Sequence, residues 1–263
     1  NWNATSARLF RTKVPVQGRV WMPLNTVNYF HALMENGIRL LDLLQSGVLN
    51  GSELTVAISP GLNKVQRAMF DGICAHHSNV SLLEVPHGAL VQPEEALLHF
   101  PYDNNWEWPP VTRPLINRLI ECFQSVYGPL PDVTPSDLYL TRTGAKLRDP
   151  ANAKALEAAL KDTGVRSFTA SDQNHPEQIA SFRTARTVIA VHGAGLTNLL
   201  FCKPDTRVIE IFPKNFVKST YWNISRQMGL EYTPVICGPG DYHLRFEVDI
   251  SAVLNALRPA RAA

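Results

Sequence analysis

Apolar residues recur near the helical period at Phe30, Leu33, Ile38, Leu41 and Leu44, so the pattern predicts an amphipathic helix over 28–44, closed by Gly47. A short β-rich run over 54–58 ends at Ser59-Pro60-Gly61, a helical pattern covers 64–76, and 80–85 reads as another strand. The stretch from His87 to Pro114 holds no sustained period and is read as a long functional loop, with Trp106 and Trp108 beside Asp103 and Glu107. Those two aromatics either stack on a sugar or pin the loop to its own domain.

After a helical pattern over 116–127, Gly128-Pro129-Leu130-Pro131 marks a boundary between lobes, giving 1–130 and 131–263. The alternation then resumes: strand 138–141, helix 152–161, helix 176–185, strand 187–191, strand 207–212, helix 216–228 and helix 250–257. Thr187 to Val191 is a continuous β-branched and apolar run, the signature of a strand covered on both faces. The expected architecture is α/β, two Rossmann-like lobes with parallel sheets facing a cleft, with packing across the first lobe left open for the last helix.

With 263 residues the chain is long enough for two such lobes, and 45% hydrophobic with 18% charged residues describes a folded globular protein. A formal net charge of +2 and no basic run argue against nucleic acid as partner. Cys74, Cys122, Cys202 and Cys237 form no C-x-x-C pair, so buried free thiols are expected. Sequons begin at Asn3, Asn79 and Asn223 and matter only in a secreted protein. No apolar run nears the roughly 20 residues that cross a bilayer, so the segment itself is expected to be soluble, with an anchor outside it left open.

The densest chemical signal is His192-Gly193-Ala194-Gly195-Leu196-Thr197-Asn198, where the 187–191 strand turns into a helix. Glycine permits close backbone approach, and free N–H groups at a helix start attract phosphate oxygens, so a diphosphate is the expected guest; a plain strand-to-helix turn is the alternative. The pattern is neither G-x-G-x-x-G nor a P-loop, which disfavours dinucleotide enzymes and NTPases. Arg142 and Glu210 lie at or near the ends of second-lobe strands, where open sheets place ligands. The first could clamp a diphosphate and the second accept bonds from ribose hydroxyls, unless each is a surface ion pair. His192 is either a ligand or an orienter of the turn. G-x-S-x-G and H-E-x-x-H are absent, so a serine hydrolase and a zinc enzyme are poorly supported.

Leu138-Tyr139-Leu140-Thr141-Arg142, Asn152, the run from Val191 to Phe201, and Val208-Ile209-Glu210-Ile211-Phe212-Pro213 together resemble glycosyltransferase family 61. Asn28-Tyr29-Phe30-His31, with Glu35 and Arg39, is similar to that family's Asn-Tyr-x-His helix. The resemblance implies a GT-B fold and an inverting transfer from a nucleotide sugar, UDP-linked in first expectation, to a hydroxyl of a glycan or glycoconjugate. It places the donor at Arg142, the 192–198 turn and Glu210. His31 or Glu35, both on the first-lobe helix, is the expected base, unless they are a satisfied half-buried histidine and a solvated glutamate; with Arg142 and the helix start stabilising the diphosphate, no divalent metal or other cofactor is obligatory. A bacterial member would be cytoplasmic or peripheral to the inner membrane, serving surface polysaccharide; a eukaryotic one would be lumenal in the secretory pathway. Phosphosugar transfer or hydrolysis through a histidine nucleophile, and nucleotide binding without turnover, are the competing functions. Oligomeric state is left open.

Overall fold

The computed structural model describes residues 12–24, 26–97, 111–142, 147–171 and 174–258. The chain divides into two compact units, Asn1–Pro129 and Leu130–Ala263. Each is built on one wholly parallel sheet. Trp106, Trp108, Asp103 and Glu107 lie outside the described residues.

In the first unit β1 (Thr12–Trp21), β2 (Leu54–Ile58), β3 (Val80–Glu84) and β4 (Ala89–Leu97) stand in the order β3-β2-β1-β4. Part of the expected long loop is thus strand β4. The expected first helix is α-helical at α1 (Tyr29–His31), π-helical over Ala32–Ile38 and α-helical again at α2 (Arg39–Gln45). Asn28 caps its start by accepting a bond from Phe30 N at 2.9 Å. Asn36, buried in the π-helical stretch, holds Leu24 by both backbone groups, at 2.8 and 3.0 Å.

Helix α3 (Lys64–His76) starts with a reciprocal Asn63–Gln66 capping box and packs against α4 (Arg113–Tyr127). The two backbones meet at Gly72, where a β-carbon would run into the Cys122 carbonyl. Backbone cannot swing aside as a side chain can. Gly72→Ala is therefore expected to destabilise the protein by about 1–3 kcal/mol, as overpacking does, read as a lowered denaturation midpoint.

The second unit contains β5 (Asp137–Leu140), α5 (Ala153–Lys161), β6 (Arg166–Phe168), α6 (His175–Thr184), β7 (Thr187–Val191), a 3₁₀ helix (Ala194–Phe201), β8 (Arg207–Pro213), α7 (Thr220–Met228), β9 (Glu231–Cys237) and α8 (Ile250–Leu257). Its sheet runs β6-β5-β7-β8-β9. All five residues of β7 are buried, as its uninterrupted apolar and β-branched character requires. One face carries Tyr139, Ile189, Val191, Ile209 and Ile211 against Leu156 and Leu160 of α5 and Val253 of α8.

Helix α8, for which packing on the first lobe was left open, thus lies on its own unit's sheet. The Arg207 guanidinium fixes its last turn by donating to the carbonyls of Ala256, Leu257 and Arg258. Asn152 exchanges two bonds with the Val248 backbone, at 2.8 and 2.9 Å, and pins the segment leading into α8. Among the described residues no helix is long and apolar enough to cross a membrane.

Candidate functional site

The strand order of the second unit reverses direction between β5 and β7: the chain steps from β5 out to β6, then returns to the other side of β5. In open parallel sheets, ligands enter at the carboxyl ends of the two strands flanking such a switch. Arg142 follows β5 and His192-Gly193 follows β7, so both sit at that place.

The first contacts there are made by the protein with itself. Arg142 Nη1 donates to the His192 carbonyl at 3.1 Å and Nη2 to the Leu147 carbonyl at 2.7 Å, while Nε is buried without a partner. Arg148 Nε donates to the same His192 carbonyl at 2.9 Å, and its guanidinium lies over the Phe216 ring, 4.9 Å from the centroid. Neither arginine forms an ion pair with a described carboxylate. Burial first, and then the neighbouring Arg148 cation, lowers the Arg142 guanidinium to about 10.

The two glycines of the turn each leave room for the end of a neighbouring side chain. Gly193 has φ 171°, extended backbone that any residue adopts. What excludes a side chain is Arg142 Nη1, which occupies the place of a β-carbon. At Gly195 the obstacle is Leu140 Cδ2, 2.6 Å from that place. Both obstacles belong to β5 or the residues just after it, so the turn is moulded against the neighbouring strand.

Beyond the glycines the chain enters a 3₁₀ helix, whose first N–H groups, at Ala194 and Gly195, have no acceptor within it. Ala194 and Gly195 are partly exposed, whereas Leu196, Thr197 and Asn198 are fully buried. Within the turn the side chains of Thr197 and Asn198 act as braces. Thr197 donates to the Ala194 carbonyl at 2.7 Å; Asn198 donates to the Gly195 carbonyl at 2.9 Å and to Gln178 Oε1 at 3.1 Å.

Glu210 makes its contacts within the protein. Expected to meet ribose hydroxyls, it is 0% exposed and has both oxygens engaged. Oε1 lies 2.5 Å from His192 Nδ1, and Oε2 accepts from the Tyr232 hydroxyl at 2.6 Å. Its position in the middle of β8, between β7 and β9, turns it into the core. The adjacent anion pushes the Tyr232 hydroxyl upward, adding to burial.

His192 is therefore held rather than loose. Its ring stacks on Phe212 at 5.3 Å and meets Phe216 and Tyr221 at 5.6 and 5.2 Å, and the residue is 8% exposed. With Nδ1 given to Glu210, Nε2 is the ring nitrogen left for other contacts.

The structure brings Arg142, 192–198 and Glu210 together in the second unit and pairs His31 with Glu35 in the first. His31 Nδ1 lies 3.1 Å from Glu35 Oε2; the histidine side chain is 43% exposed and the carboxylate 7%. The carboxylate is thus the buried member of the pair and the imidazole the more exposed one. Sequence reasoning missed Arg148, Tyr221 and Tyr232. Nothing in the pattern marks Arg148, which lies in the connection between β5 and α5.

By fold and site geometry, the second unit belongs with the doubly wound α/β domains, whose ligand place is the switch point. The family model described as Glycosyltransferase 61 matches residues 29–209, most of the chain and both units. The chain belongs to the glycosyltransferase 61 family. The β-1,2-xylosyltransferase RCN11 of Oryza sativa subsp. japonica is 39% identical over 69 residues, 26% of this chain and 13% of that protein. The β-1,2-xylosyltransferase XAX1 of the same plant is 29% identical over 126 residues, 46% of this chain and 22% of that protein. The matched segments are thus small parts of much longer relatives. Among solved structures, E. coli heptosyltransferase WaaC with ADP aligns over 91% of this chain and 96% of its own, with TM-score 0.45 and 10% identity.

Proposed function

We propose that the protein is an inverting glycosyltransferase that binds the diphosphate of a nucleotide sugar, UDP-linked, in its second unit and transfers the sugar to a hydroxyl of a glycan or glycoconjugate. The observation that carries this is the Arg142 guanidinium, part-buried, without a carboxylate partner, beside a glycine turn at the switch point. The Asp149 carboxylate acts on Arg142 only from beyond ion-pair distance, so the guanidinium is suited to an anion delivered from solution. The free N–H groups of Ala194 and Gly195 add donors of the same sense.

In this reading the departing diphosphate gains negative charge as the sugar bond breaks, and Arg142 with the turn stabilises it. The charge is met by protein donors, so no divalent metal is required. The acceptor hydroxyl proton goes to a base, for which His31, beside the buried Glu35, is the candidate. Family membership supports glycosyl transfer, and the xylosyltransferase names of the relatives make a pentose one sugar to test. The reading extends to surface or secretory-pathway glycans as products, assembled at a membrane surface.

Isothermal titration of the protein with uridine, guanosine, adenosine and cytidine diphosphates and their sugar conjugates, with and without magnesium, tests the proposal. Binding of one nucleotide class without magnesium is expected. Failure of every nucleotide to bind would remove the proposal and favour a phosphosugar substrate.

A further inference from the structure

Two cations converge on one neutral oxygen at the end of β7: Arg142 Nη1 and Arg148 Nε both donate to the His192 carbonyl. A single neutral donor would satisfy that carbonyl. Two guanidinium groups so close repel each other, and no described carboxylate pairs with either. Burial first and then Arg148 lower the Arg142 guanidinium, and the Asp149 carboxylate, beyond ion-pair distance, opposes them.

Arg148 also stands in backbone that disfavours it. Its φ is 58°, the left-handed region that non-glycine residues enter at a cost of about 1 kcal/mol. Its backbone N–H is fixed by the His243 carbonyl at 3.0 Å, and its guanidinium is laid over Phe216. The exposed Lys218 places its ammonium 5.4 Å from the centroid of the same ring, so a third cation borders the spot. With Nε spent on His192, the fork of Nη1 and Nη2 has no hydrogen-bond partner among the described residues. Strain, mutual repulsion and an unspent fork recur where a group is arranged for a ligand.

We infer that Arg148 is a second phosphate-binding residue of this site, its free guanidinium edge meeting the diphosphate beside Arg142. The inference rests on the donor reading above. It assigns Arg148 to the phosphates and not to the base or ribose, because a guanidinium fork matches pairs of phosphate oxygens.

Arg148→Gly tests it, because glycine accepts the left-handed backbone and the substitution removes only the side chain. Wild type and variant are titrated with the nucleoside diphosphate that wild type binds and with the corresponding nucleoside. The variant is expected to fold, because relief of the backbone strain offsets the lost His192 and Phe216 contacts, to bind the diphosphate about 10-fold more weakly, and to bind the nucleoside as wild type does. Arg148→Asn, which also tolerates this backbone, is measured in parallel and is expected to behave alike. Unchanged diphosphate affinity in a folded variant, or an equal loss on the nucleoside, overturns the inference and leaves the donor reading standing. No diphosphate binding by wild type overturns both.

Discussion

Arg142→Ala is expected to weaken nucleoside diphosphate binding by about 100-fold, equivalent to about 2.7 kcal/mol. The size follows from the setting. A charge-assisted hydrogen bond is worth about 1.5–3 kcal/mol, and partial burial keeps water from screening this one. The guanidinium is also fixed in advance by the Leu147 and His192 carbonyls, so little freedom is lost when a ligand arrives. Gly193→Ala should act through the same group. Its methyl would displace Nη1, the far end of a flexible side chain, so the fold should survive while affinity falls. Titration of both variants, with thermal melting as the control for folding, checks the pair. Wild-type affinity in a folded Arg142→Ala protein would remove Arg142 from the site.

Glu210→Ala should have the largest effect on stability, about 3–5 kcal/mol. The carboxylate has no exposed surface and receives the Tyr232 hydroxyl on one oxygen and the His192 imidazole on the other. Its removal leaves the buried His192 and the half-buried Tyr232 unpaired and opens a hole between three strands. Glu210→Gln should lose less, because an amide oxygen still accepts from one partner while its NH₂ faces the other. Chemical denaturation with an unchanged m-value measures both. A loss below about 1 kcal/mol for the alanine variant would mean that water or a shifted side chain replaces the carboxylate. Because Glu210 sets the angle of the His192 ring, the variant that folds should also bind the donor more weakly.

How much of this was legible follows from where each element sits in its sheet. β7 and β8 are covered on both faces, and a covered strand is mostly apolar, so their sequences announce them, with Glu210 the one buried charge in β8. The missed strands lack that signature. β6 has three residues at an edge, and β4 and β9 are edge strands carrying Pro93 and Pro234, tolerated there because one side needs no ladder bond. β1 pairs with β2 only over Arg19–Trp21, so its first half, with Pro15 and Gly18, behaves as an edge. With β9 overlooked, Tyr232 had no place in the reading.

The π-helical stretch did leave a trace. That trace is not in the apolar spacing, since Met34 and Ile38 keep the ordinary step of four; it is the polar run Glu35-Asn36-Gly37, buried where a helical face would carry apolar residues. For the site, the positions of Arg142 and the glycine turn were readable because the end of a strand is where a parallel sheet presents residues. The role of Glu210 was not, since a carboxylate in mid-strand gives no sign of which neighbours surround it.

The extended backbone at Gly193 changes what its smallness means. Positions 142 and 193, and likewise 140 and 195, share one volume, so each pair is a joint allotment between two strands. A homologue with a shorter residue at 140 is free to carry alanine at 195, and one that loses the arginine at 142 is free to fill 193. Glycine at either turn position thus reports on the strand next door, and a change there dates the loss of its partner.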